Sequence, residues 1–161
     1  MVQPAMQNIR RVYLSGGMEY AADEGRDWRG EMQKWLQEEQ GWEVFNPNEE
    51  SERFLRAHIG DTDFRKLKRD DPEKFAEVVT KIVDHDLEEV ARRTDILVCY
   101  WDDSAARGAG TKGEITIAHF FRKPVYLVTS IPPADIPGWV LGCTSKMFPG
   151  FQELKEFLAN R

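Results

Sequence analysis

The chain has little cysteine, little histidine and no long apolar run, and each scarcity narrows its chemistry. Its two cysteines, Cys99 and Cys143, lie far apart and belong to no Cys-x-x-Cys or Cys/His spacing, so no metal centre is expected. Two unpaired thiols of this kind fit a reduced, cytoplasmic setting. No apolar stretch approaches the roughly 20 residues that a membrane-spanning helix needs, and the first residues show no signal-peptide pattern. A formal net charge of -6, with no basic tract to offset it, excludes nucleic acid as a general partner. Internal repeats, low-complexity segments and linkers are also missing, and 161 residues suit one domain spanning 1–161.

What is present is a chain of globular type, 41% hydrophobic and 31% charged, in which strand-like and helix-like patterns alternate. Ile9 to Ser15 reads as a strand that runs into Gly16-Gly17, a turn where backbone can approach a ligand. A helix with Trp28, Met32, Trp35 and Leu36 on one stripe follows, and Gly41 stops it. Trp42 to Phe45 is a short strand ended by Asn46-Pro47. Glu49 to Asp71 is densely charged and reads as helical pieces on the surface. Asp71-Pro72 then opens a long helix to about Arg93, with an N-cap residue followed by proline. Asp95 to Trp101 and Val125 to Val128 are buried strands, separated by a glycine-bearing loop and a helix. A proline-rich loop from Ile131 to Pro137, a weaker strand near Leu141 to Phe148 and a helix from Phe151 complete the chain.

Such alternation specifies an α/β fold with a parallel sheet, whose ligands bind beyond the carboxyl ends of the strands. Three stretches are expected to converge there: Ser15-Gly16-Gly17, the loop from Asp102 to Thr111, and the residues after Val128.

Two acids stand out against this frame. Glu114 follows Gly108, Gly110 and Gly113 at the start of a helix, and it shares a helical face with Ile117, Ala118 and Phe121. Thr111-x-x-Glu114 also has the spacing of a capping box, in which the two side chains satisfy each other's backbone N–H groups. Asp86 falls in the middle of the stripe Val79, Ile82, Val83, Leu87 and Val90, whereas Asp84, Glu88 and Glu89 fall outside it. An unpaired carboxylate in such a stripe costs several kcal/mol or has its pKa raised.

The ordered set of motifs resembles the nucleoside 2-deoxyribosyltransferase superfamily, including its nucleotide N-glycosidase branch. The matching pieces are Val12-Tyr-Leu-Ser-Gly-Gly17, Val83-Asp-His-Asp-Leu87, Thr94-Asp-Ile-Leu-Val98, Gly110-Thr-x-x-Glu114-x-x-x-Ala118 and Lys123-Pro-Val-Tyr-Leu-Val128. The resemblance implies a flavodoxin-like or Rossmann-like three-layer sandwich with a mostly parallel five-stranded sheet. It implies a Glu nucleophile at Glu114, an Asp near the leaving base at Asp86 and a tyrosine near the nucleophile at Tyr13. It also implies a homodimer or larger homo-oligomer that completes the site at a subunit contact. No cofactor is expected. The chain departs from the pattern in three places. Asp86 precedes Asp95 by one residue more than usual, Gly108 stands where transferring members often carry an acid, and the charged helical segment around 49–71 looks like an addition.

The chemistry that follows is cleavage or transfer of the N-glycosidic bond of a (deoxy)nucleoside or nucleoside 5′-monophosphate. A carboxylate below the sugar stabilises the developing positive charge at C1′, and a protonated acid assists departure of the base. The positive end of a helix would keep Glu114 ionised, and an apolar setting would keep Asp86 protonated. Ser15, Gly16 and Gly17 supply hydroxyl and N–H donors to a 5′-hydroxyl or phosphate, with Arg26 and Arg29 as nearby positive charge. That layout suits an anion, so a 5′-monophosphate is the expected substrate. Gly108, Gly110 and Thr111 border the same space, and Trp101 is placed to stack on a base. Two rival readings remain: a non-catalytic nucleotide-sensing domain, and a phosphoribohydrolase of the lysine-decarboxylase-like type. The loop of the latter normally begins Pro-Gly-Gly, whereas this one reads Ala106-Arg-Gly-Ala-Gly110.

Overall fold

A computed structural model describes residues 8–60 and 63–161. Its sheet has five strands, β1 (Arg11–Gly16), β2 (Glu43–Phe45), β3 (Ile96–Tyr100), β4 (Val125–Val128) and β5 (Lys146–Phe148), in the order β2-β1-β3-β4-β5. Every neighbouring pair is parallel. The order reverses between β1 and β3, and this is the flavodoxin-like switch point where open α/β sheets bind ligands.

Side chains alternate across the sheet and so build two cores. Val12, Leu14, Ile96 and Val98 pack with Met32, Leu36, Leu154 and Leu158 on one face. These partners come from α1 (Arg26–Gln40) and from the C-terminal helix Phe151–Ala159. Tyr13, Leu97, Cys99 and Trp101 point to the other face and pack with Ile115 and Ala118. The result is a three-layer α/β fold.

The segment between β2 and β3 is helical throughout most of its described length. It comprises α2 (Pro47–His58), α3 (Leu67–Asp70) and α4 (Pro72–Arg92); residues 61 and 62 of the charged segment lie outside the described residues. Asn46 ends β2 as expected and also caps α2: its side chain accepts from the Asn48 N–H, with Pro47 in the first turn. Asp71 caps α4 in the same way, accepting from Lys74, as its Asp-Pro signature predicts.

Several expectations need correction. The stretch after β3 is not an open loop, because Asp102 accepts from the Ala105 N–H and starts a short helix, α5 (Asp103–Arg107). The following helix, α6, runs Gly110–Phe120, so Glu114 lies in its second turn rather than at its start. Leu141 to Cys143, read as the start of a strand, belong to α7 (Gly138–Cys143); only Lys146–Phe148 form the edge strand β5, ahead of α8 (Phe151–Ala159). Phe121 ends α6 and is 48% exposed, so it does not share the buried face of Ala118. On α4 the expected stripe is only partly core. Val90 is buried, Val83 is 45% exposed, and Glu89, expected outside the stripe, is buried and paired with Arg11. Among the described residues no helix is long and apolar enough to cross a membrane.

Candidate active site

A cleft of about 570 Å³ opens at the switch point, beyond the carboxyl ends of β1 and β3. This lies within the ~300–1,000 Å³ usual for small-molecule sites. The turn after β1 supplies Gly16 and Gly17, and the start of α6 supplies Gly110, Thr111 and Glu114. The long helix α4 contributes Asp86 together with Val79, Ile82 and Val83. The apolar stripe of α4 is thus largely a cleft wall, which explains why an acid sits in its middle.

Glu114 is held from β1. Ser15 donates its hydroxyl to Glu114 Oε2 at 2.5 Å. Ser15 follows Tyr13 by two positions, so both side chains leave the strand on the α6 face. Burial raises the pKa of Glu114, while the Ser15 bond, the charge of Arg29 and the Tyr13 hydroxyl act to lower it. The capping box is not formed: Ala109 occupies the N-cap position of α6 without a side-chain bond, and the Glu114 carboxylate turns to Ser15 instead. Ionisation of Glu114 is therefore governed by these neighbours against burial, rather than by a helix terminus.

Asp86 is the more perturbed acid. Burial, followed by the nearby Glu114 charge, pushes its pKa up to about 8, against an opposing contribution from Arg29. Its Oδ1 is buried with no hydrogen-bond partner, and the buried Tyr13 hydroxyl is in the same condition. A native interior leaves few such atoms unsatisfied, and those it does leave call for an explanation. Burial raises the Tyr13 pKa well above its ordinary value, and the charges of Glu114 and Asp86 add to the effect, so the phenol remains protonated. Tyr13 stacks on Phe45 with ring centroids 4.9 Å apart, which fixes its ring.

The structure moves three expected contacts away from the cleft. Arg29 is 1% exposed and donates to Leu14 O (3.1 Å), Gly16 O (2.8 Å), Glu24 O, Gly25 O and Asn48 Oδ1. With its donors committed to protein acceptors, it braces the β1 turn and offers nothing to a phosphate. Trp101 is 1% exposed and continues the inward parity of Leu97 and Cys99, so it fills the core instead of stacking on a ligand. Ser15 is fully buried and spends its hydroxyl on Glu114, leaving the donors of the turn to Gly16 and Gly17. The residues after Val128 also stay out, because β4 lies one strand beyond the switch point; the lining runs from Gly16 to Glu114. Gly108, Gly110 and Thr111 do border the cleft.

Gly17, just after β1, and Gly25, at the N-cap of α1, are required by space. A Cβ on Gly17 would stand 2.0 Å from Ser104 Oγ and 2.8 Å from the Ala105 nitrogen. Gly25 has φ +72, and a Cβ there would meet an Arg29 nitrogen at 2.3 Å. The backbone carrying Ser15 and Gly16 is thus packed tightly between α1 and α5.

The wall that sequence patterning missed comes from α2, the stretch just before α3 and the start of α4. Leu55, Phe64 and Phe75 line the cleft, and Phe64 stacks on Phe75 with centroids 5.7 Å apart. Both arginines of the lining are paired: Arg65 forks onto Glu24 at 2.9 and 2.8 Å, and Arg26 meets Glu52 at 3.5 Å. Lys68 reaches Glu19 at 2.6 Å, which adds a tie from α3 itself to the loop after β1. Dense charge in this segment read as plain surface, yet its ions bridge to the turn that frames the site. Among the described residues no group of three or more His, Cys, Asp or Glu is placed to hold a metal ion.

No family model matches the sequence, and no curated protein matches it. Solved structures do. The chain is similar to a 2-deoxyribosyltransferase from Bacillus psychrosaccharolyticus, with a TM-score of 0.63, 18% identity and 90% of each chain covered. It is also similar to the Clostridium botulinum CMP N-glycosidase BcmB, with a TM-score of 0.52 and 19% identity over 92% of this chain and 97% of that one. The chain shares the fold of these two proteins.

Proposed function

We propose that the protein breaks or transfers the N-glycosidic bond of a nucleoside, with Glu114 as nucleophile and Asp86 as proton donor. The observation that carries this reading is the pair of acids on one cleft. Glu114 is aimed by Ser15, and Asp86 has an unpartnered oxygen and a pKa near 8. One acid is positioned to bear charge and the other is kept protonated at neutral pH. The folds shared with a deoxyribosyltransferase and a CMP N-glycosidase support the same bond class.

In the first step a Glu114 oxygen bonds to C1′ as the C1′–N bond breaks; its electron pair goes to the base, which takes the Asp86 proton. Water or a second base then attacks C1′, Glu114 leaves as carboxylate, and Asp86 takes back a proton from the attacking group. Tyr13, protonated, near Glu114 and without a hydrogen-bond partner of its own, is available to donate to the carboxylate. Gly16 and Gly17 offer backbone donors to the 5′-hydroxyl. An unphosphorylated nucleoside suits the cleft better than a monophosphate, since Arg29 is spent inside the fold and Arg26 and Arg65 already have carboxylate partners. A homo-oligomer fits the exposed Phe120 (74%) and Trp139 (68%).

The test is incubation with a panel of nucleosides and their monophosphates, with free base measured by chromatography. Release of base by the wild type and not by Glu114→Ala supports the assignment. Binding without release points to a sensing domain instead.

A further inference from the structure

The cleft is longer than the two acids need. Asp86 and Phe75 both lie on α4 and both line it, yet 11 positions separate them, about 16 Å at 1.5 Å per residue. A bare base about one helical turn long, leaving C1′ beside Asp86, would reach no further than Ile82 and Val83. Val79 and Phe75 stand one and two turns further along, and Phe64 and Leu55 close that end from the neighbouring segments. The distal surface is largely apolar, and charges at its rim are paired with each other, Arg65 with Glu24 and Lys68 with Glu19. A phosphate, an amine or a second sugar placed there would lose hydration without a compensating partner. An aromatic or alkyl group would not.

Resting on the glycosidic reading above, we propose that the leaving base carries an apolar substituent, which runs along α4 onto the stacked Phe64 and Phe75. This segment would then set specificity through the aglycone, and the ion pairs would hold its wall against the β1 turn. The occupant is part of the substrate rather than a second protein copy, because the wall is continuous with the acids and lies inside the same cleft.

The experiment compares adenosine and cytidine with their N-benzylated counterparts, as ribosides and 2′-deoxyribosides. Binding by calorimetry and kcat/KM for base release are both measured. The benzyl compounds should bind about ten- to a hundredfold more tightly, as expected for burying one phenyl-sized group. Phe75→Ala and Phe64→Ala should remove that preference, weakening the benzyl compounds far more than the parent nucleosides, while Phe75→Leu should retain most of it. Equal affinity for parent and benzylated compounds overturns the inference. So does a preference untouched by the alanine variants, or a change only in sedimentation, which would place a second copy on this wall. Tight benzyl-dependent binding with no base release leaves this inference standing and removes the catalytic reading.

Discussion

Ser15 and Glu114 are 99 positions apart in sequence and meet through one hydrogen bond of 2.5 Å, the hydroxyl of the strand donating to the carboxylate of the helix. Arg29 grips the carbonyls on both sides of Ser15, at Leu14 and Gly16. The serine is therefore held by its backbone before it holds the acid. This chain of contacts joins α1, β1 and α6 into one support for the Glu114 carboxylate.

Ser15→Ala should lower kcat/KM by about ten- to a hundredfold, the loss of one hydrogen bond to a charged group worth ~1.5–3 kcal/mol. Its effect on pH has a definite sign. The Ser15 bond lowers the Glu114 pKa against burial, so removing it raises that pKa further. The acidic limb of the kcat/KM profile should move to higher pH, while the melting temperature changes little. An unshifted limb would show that the serine does not tune the acid.

Asp86→Asn should remove the alkaline limb, because the wild-type acid loses its proton as pH rises through about 8. Stability follows by linkage. The native state binds this proton more tightly than the unfolded chain, whose carboxyl has an ordinary value of 3.8. Its contribution is thus fully present below about 3.8 and is lost as pH rises to about 8. Asparagine cannot ionise, so the variant should gain stability relative to wild type between pH 5 and 9. Urea titrations at both pH values check this, and a constant difference would argue against a buried, protonated Asp86.

Much of this arrangement was legible in the sequence. The two-residue alternation of Val12-Tyr-Leu-Ser fixes which side chains face α6, and the glycines framing Glu114 mark a stretch that borders the cleft, although a Cβ on Gly110 or Gly113 would meet nothing within 4 Å. Asp86 was visible as an acid within an apolar stripe. Arg29 also left a trace, since it shares the three- and four-residue spacing of Met32 and Leu36, but a cation on that stripe reads as solvent-facing until its acceptors are known. Nothing local distinguishes Arg65 and Lys68 from an ordinary charged surface. Their partners, Glu19 and Glu24, lie some 40 residues or more away. The capping box failed for a tertiary reason: Ser15 offers Glu114 a better partner than its own backbone.

The burial of Arg29 yields a prediction that separates bracing from ligand binding. Arg29→Met leaves five acceptor oxygens without their donor and should destabilise the fold by roughly 3 kcal/mol or more. Arg29→Lys should recover part of that, since an ammonium reaches fewer of the acceptors. In the lysine variant the ratio of kcat/KM for a nucleoside and its 5′-monophosphate should match wild type. A selective loss of the monophosphate would restore Arg29 to the role of anion ligand.

The coupling between the two acids can be read directly from Glu114→Gln. The variant should be folded and release no base, because an amide is a poor nucleophile towards C1′ but keeps the shape of the carboxylate. Its more informative property is the titration of Asp86. The Glu114 charge is the second largest cause of the raised Asp86 pKa, after burial, so removing that charge should bring the value below 8 without returning it to 3.8. Carboxyl ¹³C chemical shifts recorded across the pH range follow this one residue in wild type and variant. A downward shift shows that each acid senses the other across the cleft, as a divided donor and nucleophile must. An Asp86 that titrates identically in both proteins would mean that burial alone sets its pKa, and the paired mechanism would lose its electrostatic basis.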